Sequence, residues 1–314
     1  MSAFPRRPFR FGVQASSTPD RTSWVSLARK VESLGYATLT MPDHFTDQLA
    51  PVPALMAAAD ATTKLRVGAL VWDNDYKHPA VLAKELATID VLSDGRLEVG
   101  IGAGWTRSDY DAVGMPYDAP GVRVDRFMEG IDVLKACFAE GAFSYAGSHY
   151  TITNYDSLPL PVQRPWPPIL IGGGGKRVLS IAARHADIVG INGTMTAGAV
   201  NDEALASMTA AAVDDKVAIV RDKAADRLDQ IELSVRAFFV SVTNDRTGTI
   251  AGLSGGLKLP EADVAATPFA LIGTPKQLAE DLKERRDRWG FSYIVVGAED
   301  VDAFAPVVAE LAGR

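Results

Sequence analysis

One cysteine, four histidines and no surplus of basic residues are the first facts of this 314-residue chain, and each removes a class of function. The lone Cys137 cannot close an internal disulfide, which fits a reducing compartment. It lies in the helical apolar pattern VLKACFA and reads as a buried thiol, because a nucleophile needs an activating partner that the sequence does not supply. Of the four histidines, His78, His149 and His185 are not paired with another histidine, a cysteine or an acid at zinc-ligand spacing, and no metal site is expected. The 32 basic residues are outnumbered by 39 acidic ones, and the net charge of −7 argues against nucleic acid as a partner. No run of about 18 apolar residues is present, so no membrane span is expected. The beginning, MSAFPRRPFRFG, has no apolar segment of the signal-peptide kind, and a cytoplasmic protein is expected.

What is abundant is short apolar runs. Eight can be counted, at 10–14, 37–41, 67–72, 97–102, 168–172, 187–192, 233–242 and 292–297. Several are nearly continuous in apolar residues, as parallel strands covered by helices must be. Helix-period segments lie between them. Trp24, Leu27, Ala28, Val31 and Leu34 form one stripe, closed by Gly35. Pro79 opens a second helix and Asp94-Gly95 turns out of it. Phe127, Ile131, Leu134 and Phe138 mark a third. Thr274-Pro275 reads as a cap and first turn, with Gly290 as the stop.

Eight strands with intervening helices predict one α/β domain over 1–314, a (β/α)8 TIM barrel. A doubly wound sheet is the runner-up, but the first turn, GVQASS, lacks the G-x-G-x-x-G pattern. Two stretches exceed a minimal barrel. Residues 142–167 read as a hairpin followed by a proline-rich connector. Residues 244–267 are rich in glycine and polar residues and read as a long functional loop.

Barrel chemistry sits at the C-terminal strand ends. There the sequence places Gln14, then Asp43-His44, then Trp72-Asp73, then Gly104-Trp105, then Gly172, Gly173, Gly174 and Gly175 with Lys176 and Arg177, then Asn192. The glycine run leads into a helix start, where free N–H groups and a bare backbone suit a phosphate. The alternative is a tight turn without ligand; four consecutive glycines lose more conformational entropy than a turn needs, which favours phosphate. His44 is either a proton carrier or an ordinary satisfied histidine; its place beside Asp43 at a strand end favours the first. Trp72, Trp105 and Tyr110 either line a substrate or pack the rim.

Four segments together resemble a known family. PDHF (42–45), DYKHPAVLAKELATIDVLSDGRLEVGIGAGW (75–105), PILIGGGGKRVLSIAARHADIVG (168–190) and PFALIGTPKQLAEDLKERRDRWGFSYIVV (268–296) look like the luciferase-like monooxygenase superfamily. Within it the chain is most similar to the branch using the deazaflavin coenzyme F420, of actinobacterial type. The resemblance implies a luciferase-like barrel with insertions, a homodimer, a small-molecule substrate, and a deazaflavin ring lying across the strand ends. It implies that Gly172–Gly175, Lys176 and Arg177 hold the cofactor phosphate. It further implies that Asp43, Ala69, Leu70, Val71, Asp73, Gly104 and Asn192 surround the ring. A bulge with a non-proline cis peptide is implied within Ala69–Trp72, at Leu70–Val71. His44 then carries the proton that accompanies hydride transfer at the deazaflavin C5, oriented or polarised by Asp43, with 244–267 as a lid. Where the sugar-phosphate dehydrogenase branch has a glutamate, this chain has Trp105, which argues against glucose 6-phosphate as substrate. Two alternatives stand: an FMN-dependent two-component monooxygenase, and a barrel that binds a cofactor or ligand without turnover.

Overall fold

The structure is a computed structural model and describes residues 4–314. Its strands are β1 (Arg10–Gln14), β2 (Thr38–Met41), β3 (Arg66–Ala69), β4 (Trp72–Asp73), β5 (Leu97–Gly102), β6 (Phe143–Ala146), β7 (Thr151–Tyr155), β8 (Ile169–Gly173), β9 (Ile188–Ile191), β10 (Glu232–Arg236), β11 (Phe239–Val242), β12 (Ala270–Gly273) and β13 (Phe291–Gly297). Nine of them pair in the order β3-β2-β1-β13-β10-β9-β8-β5-β4, all parallel, and β3 also pairs with β5. Since β3 and β4 are two halves of one barrel strand, the sheet closes as an eight-stranded parallel barrel.

The period-2 alternation of each strand sorts its side chains between two cores. Phe11, Val13, Val99, Ile101, Ile169, Ile171, Val189, Ile294 and Val296 point out against the helices. Leu170, Ile188, Tyr293 and Val295 point into the barrel, packed with Leu70 and Val71. After Glu98, the inward positions of β5 are Gly100 and Gly102. A Cβ on Gly100 would lie 2.0 Å from the Ala69 carbonyl oxygen, and one on Gly102 would lie 2.7 Å from Val71 Cγ2. These bare positions leave the room that Leu70 and Val71 occupy. The expected bulge is here: β3 breaks from β4 at a cis Leu70–Val71 peptide.

The helix ends follow the sequence signals. Asp20 accepts from Ser23 N at 2.7 Å. Thr274 and Gln277 form a reciprocal capping box on the helix Pro275–Trp289, and Gly290 ends it at φ +89°. The expected hairpin is β6–β7, its turn amides held by the Glu129 carboxylate at 2.8–3.2 Å. Cys137 is fully buried, and burial raises its thiol pKa.

Two expectations are corrected. The run 233–242 is two strands. β10 ends at Arg236; the chain then leaves the barrel, and β11 pairs with β12 in a separate ribbon. The largely apolar run LSVRAFFVSV carries no glycine or proline to mark this break. The segment 244–267 contains two helices, Arg246–Leu257 and Glu261–Ala266. Asp245 caps the first, and Ile250, Leu253, Leu259, Val264 and Ala265 pack on Phe239, Ala270 and Ile272. Each interior glycine disfavours a helix by about 1 kcal/mol, yet this burial overrides the propensity.

Among the described residues, no helix is long and apolar enough to cross a membrane.

Candidate active site

All eight barrel strands run the same way, so their C-terminal ends form one mouth. The turn after β2 delivers Asp43 and His44. His44 Nδ1 is 2.6 Å from Asp109 Oδ2, and Tyr76 donates to the same oxygen at 3.2 Å. With Asp109 as a carboxylate, Nδ1 carries the hydrogen and Nε2 is the acceptor nitrogen. Nε2 has no hydrogen-bond partner among the described residues. The Trp105 ring stands edge-on to the imidazole, with centroids 6.0 Å apart.

The expectation that Asp43 orients His44 is corrected. Asp43 Oδ2 instead accepts from the Asp73 amide at 3.3 Å, and Asp109 holds the ring. Asp109 was not legible as a site residue. It lies on Arg107–Val113, a seven-residue helix too short to show a hydrophobic stripe. The one available signal was the T-x-x-D spacing of Thr106 and Asp109 ahead of a helix.

Behind this pair lies a second acidic set. Tyr110 Oη donates toward Asp73, at 3.0–3.1 Å, and Asp75, at 3.1 Å. Arg126 pairs with Asp75 through two bonds, 2.7 and 2.9 Å, and with Asp118 at 2.8 Å. Asp73 has no such cation. Burial pushes its pKa up to about 7; the Asp75 charge adds to this, while the Asp75 amide and the Tyr110 hydroxyl oppose it. Burial also raises the pKa of Asp43. Gly104 packs against this set at φ +72°, where a Cβ would lie 2.0 Å from the Tyr110 hydroxyl. Arg123 fixes the Gly104 carbonyl at 2.7 Å.

The glycine run sits on the other flank of the bulge; a Cβ on Gly172 would lie 3.4 Å from Val71 Cγ1. Gly173 O accepts from Asn192 N at 3.0 Å, and Gly174 O from Thr194 Oγ1 at 3.1 Å. Lys216 Nζ braces the Asn192 carbonyl at 2.6 Å. Gly175 is the N-cap of the helix Lys176–His185, which has no capping side chain and no acid in its first turn. Nothing lies within 4 Å of a Cβ built on Gly175. An uncapped helix start with no acid in its first turn suits a phosphate.

Of the two cations expected there, Lys176 is exposed and Arg177 pairs with Asp125 and the Gly121 carbonyl. The substrate-lining expectation fails for Trp72 and Tyr110, which are 1% and 0% exposed and present no surface; Trp105 is partly exposed. Ala69 is buried beside the bulge. Gln14, read from the sequence as a strand-end residue, is joined at the mouth by Arg236, which was not. The remaining histidines serve locally: His78 caps a helix, His149 lies in the hairpin turn, and the carbonyl of His185 accepts from Lys135.

The glycines permit a paired test. Gly174→Ala places a methyl 2.3–2.4 Å from the Gly193 and Asn192 carbonyl oxygens. It should destabilise the fold by about 1–3 kcal/mol. Gly175→Ala meets nothing and should shift Tm less, yet weaken FMN binding while sparing riboflavin, which lacks the phosphate. Calorimetry and fluorescence titration separate the two; equal FMN and riboflavin losses would remove the phosphate from this turn.

A closed parallel barrel with polar groups and a bare helix N-terminus at its mouth defines a (β/α)8 enzyme scaffold. The chain belongs to the luciferase-like monooxygenase family, whose model matches residues 7–293. It is 31% identical over 241 residues to an FMNH(2)-dependent dimethylsulfone monooxygenase of Pseudomonas putida, a match covering 73% of this chain and 62% of that protein. The chain thus spans less than two thirds of that relative's length. Its fold is that of the coenzyme F420 dependent tetrahydromethanopterin reductase from Methanopyrus kandleri, with TM-score 0.78 at 18% identity over 97% of this chain and 98% of that one. An F420-dependent secondary alcohol dehydrogenase solved with an F420-acetone adduct superposes equally, with TM-score 0.78 at 14% identity over 97% and 98% of the two chains.

Proposed function

We propose that this protein is a flavin-type oxidoreductase that acts on a small organic substrate and uses reduced FMN with dioxygen as a monooxygenase. The observation that carries the oxidoreductase reading is the His44–Asp109 pair, 2.6 Å apart, at a mouth that also holds an uncapped helix N-terminus behind four glycines. The preference for FMN rests on the Pseudomonas putida relative, whose identity of 31% exceeds that of the F420-dependent structures.

Whichever group binds, its chemistry is known in kind: a reduced flavin supplies electrons to dioxygen, a reduced deazaflavin supplies hydride. The chain's own residues do the rest. Gly174 and Gly175 let the backbone approach a phosphate, and the amides of the Lys176–His185 helix receive it. The bulge Leu70–Val71 would back the ring. His44, held by Asp109 with Nε2 free, takes or gives one proton at that nitrogen. Asp73, with its pKa near 7, keeps the second acidic set partly protonated around neutrality. The Trp105 ring stands edge-on beside the imidazole.

A deazaflavin reading stands second. It is supported by the sequence resemblance and by solved structures that superpose over 97% of this chain and 98% of theirs, whereas the FMN relative is matched over 62% of its length. Titration of the purified protein with FMN and with F420, following ligand fluorescence, decides between them. Binding of FMN or FMNH2 alone, with substrate-dependent oxygen consumption, is the expected result. Binding of F420 alone would overturn the FMN assignment and direct the substrate screen to hydride transfer.

A further inference from the structure

One guanidinium in the barrel mouth is left incomplete by the chain. Arg236 closes β10, and Gln14 closes β1; β13 lies between them. Arg236 Nε donates to Gln14 Oε1 at 3.1 Å, and Gln14 Nε2 donates to the Leu70 carbonyl at 2.8 Å. The side chain is thereby fastened to the bulge across the mouth. Its Nη1 is buried and has no hydrogen-bond partner. Glu299 and Asp300, on the turn after β13, act on it through space without bonding to it. Phe238 covers it from the side, 5.5 Å from the guanidinium carbon to the ring centroid.

Other buried guanidiniums behave differently. Arg10 spends its donors on Glu98 and Glu232, Arg126 on Asp75 and Asp118, and Arg123 on Asp118, Gly104 and Tyr117. Arg285 and Arg286 also keep an unpartnered nitrogen, but both lie on the helix Pro275–Trp289, outside the barrel. Among the described residues, only at Arg236 does an unused, charged donor coincide with a strand end and with a tether to the bulge. A buried donor left unpaired is costly, so such a group is retained where a ligand completes it.

We propose that Arg236 binds an anionic or strongly accepting oxygen of the ligand held in the mouth, with Gln14 as its positioning residue. This rests on the reading of the mouth as the reaction site. The oxygen has two sources of the same chemistry, a carboxylate or sulfonyl oxygen on the substrate or a carbonyl oxygen on the flavin ring. Arg makes such bonds directionally through its planar fork, so Lys is a poor replacement although it keeps the charge.

The test uses the full chain and three probes, methanesulfonate, acetate and riboflavin, each titrated calorimetrically into wild type, Arg236→Met, Arg236→Lys and Gln14→Met. Arg236→Met should weaken either the two anions (substrate source) or riboflavin (ring source) by about ten- to a hundredfold. Gln14→Met, which leaves the guanidinium in place and only unfastens it, should give a smaller loss of the same probe. Arg236→Lys keeps the charge and reports whether a loss follows from charge or from the fork. Wild-type affinities for all three probes in the folded Arg236→Met and Gln14→Met variants would overturn the proposal. Wild-type protein that binds methanesulfonate through Arg236 but binds no flavin would uphold it and overturn the flavin reading instead.

Discussion

His44→Ala should lower turnover by about 10²–10⁴-fold, the usual contribution of a positioned general acid or base. The imidazole is fixed at one nitrogen by Asp109, 2.6 Å away, while the other has no partner among the described residues. That is the arrangement of a ring held in one tautomer for use at its free end. Removing it should leave the glycine run and the bulge untouched, so flavin affinity should stay within about twofold while kcat falls. Added imidazole should recover part of the activity in His44→Gly. Asp109→Asn should cost less, about 10–100-fold in kcat, because the ring remains but its tautomer is no longer dictated. Imidazole should not help that variant. The measurement is a kcat and KM comparison with an identified substrate. Full activity in His44→Ala would remove the proposed chemistry and bring forward a barrel that binds without turnover.

The contrast between His44 and Asp109 also shows how the sequence can be read and where it fails. Strand ends are legible because a period-2 apolar run must stop somewhere, and PDHF stops one with an acid and an imidazole. The LEVGIG strand announces its inward glycines by the same alternation. The bulge and the glycine turn were legible through the family resemblance and through backbone chemistry. Asp109 was not, because its meaning lies in a contact 65 residues away in the chain. Arg236 was hidden in the middle of one strand-like run, LSVRAFFVSV, that the fold divides between barrel and ribbon. The helix at 246–257 contradicts its own glycine content, and burial against the apolar face of the β11–β12 ribbon accounts for it and for its short neighbour at 261–266. Local patterns place the scaffold; long-range pairs of polar side chains decide which strand ends act together.

The other end of the barrel provides the second large effect. Glu98→Ala should destabilise the protein by about 3–5 kcal/mol, the cost of breaking one partner out of a buried ion-pair set. Glu98 is 5% exposed and begins the inward face of β5. It accepts from Arg10 Nη1 at 2.6 Å and Arg66 Nε at 2.9 Å. Arg10 also grips Glu232 through bonds of 2.7–3.0 Å and lies 3.7 Å from the centroid of Tyr293, while Arg66 reaches Gln163 and the Leu97 carbonyl. Two guanidiniums meet two carboxylates with their donors spent, so deleting one carboxylate strands cationic charge at the barrel floor. Thermal unfolding should show Tm lower by about 2–4 °C per kcal/mol for a chain of this order of size. Flavin affinity of the folded fraction should not change, because no floor residue reaches the mouth. A shift of less than about 2 °C would show the floor to be solvated rather than a buried network. The two ends of the barrel thus use the same residue types to opposite effect. At the floor every charge is matched within the chain, and the reward is stability. At the mouth, among the described residues, Asp73 has no ion-pair partner, Arg236 Nη1 has no hydrogen-bond partner and His44 keeps one nitrogen open, so this end of the barrel, unlike the floor, keeps polar groups that the chain itself does not pair.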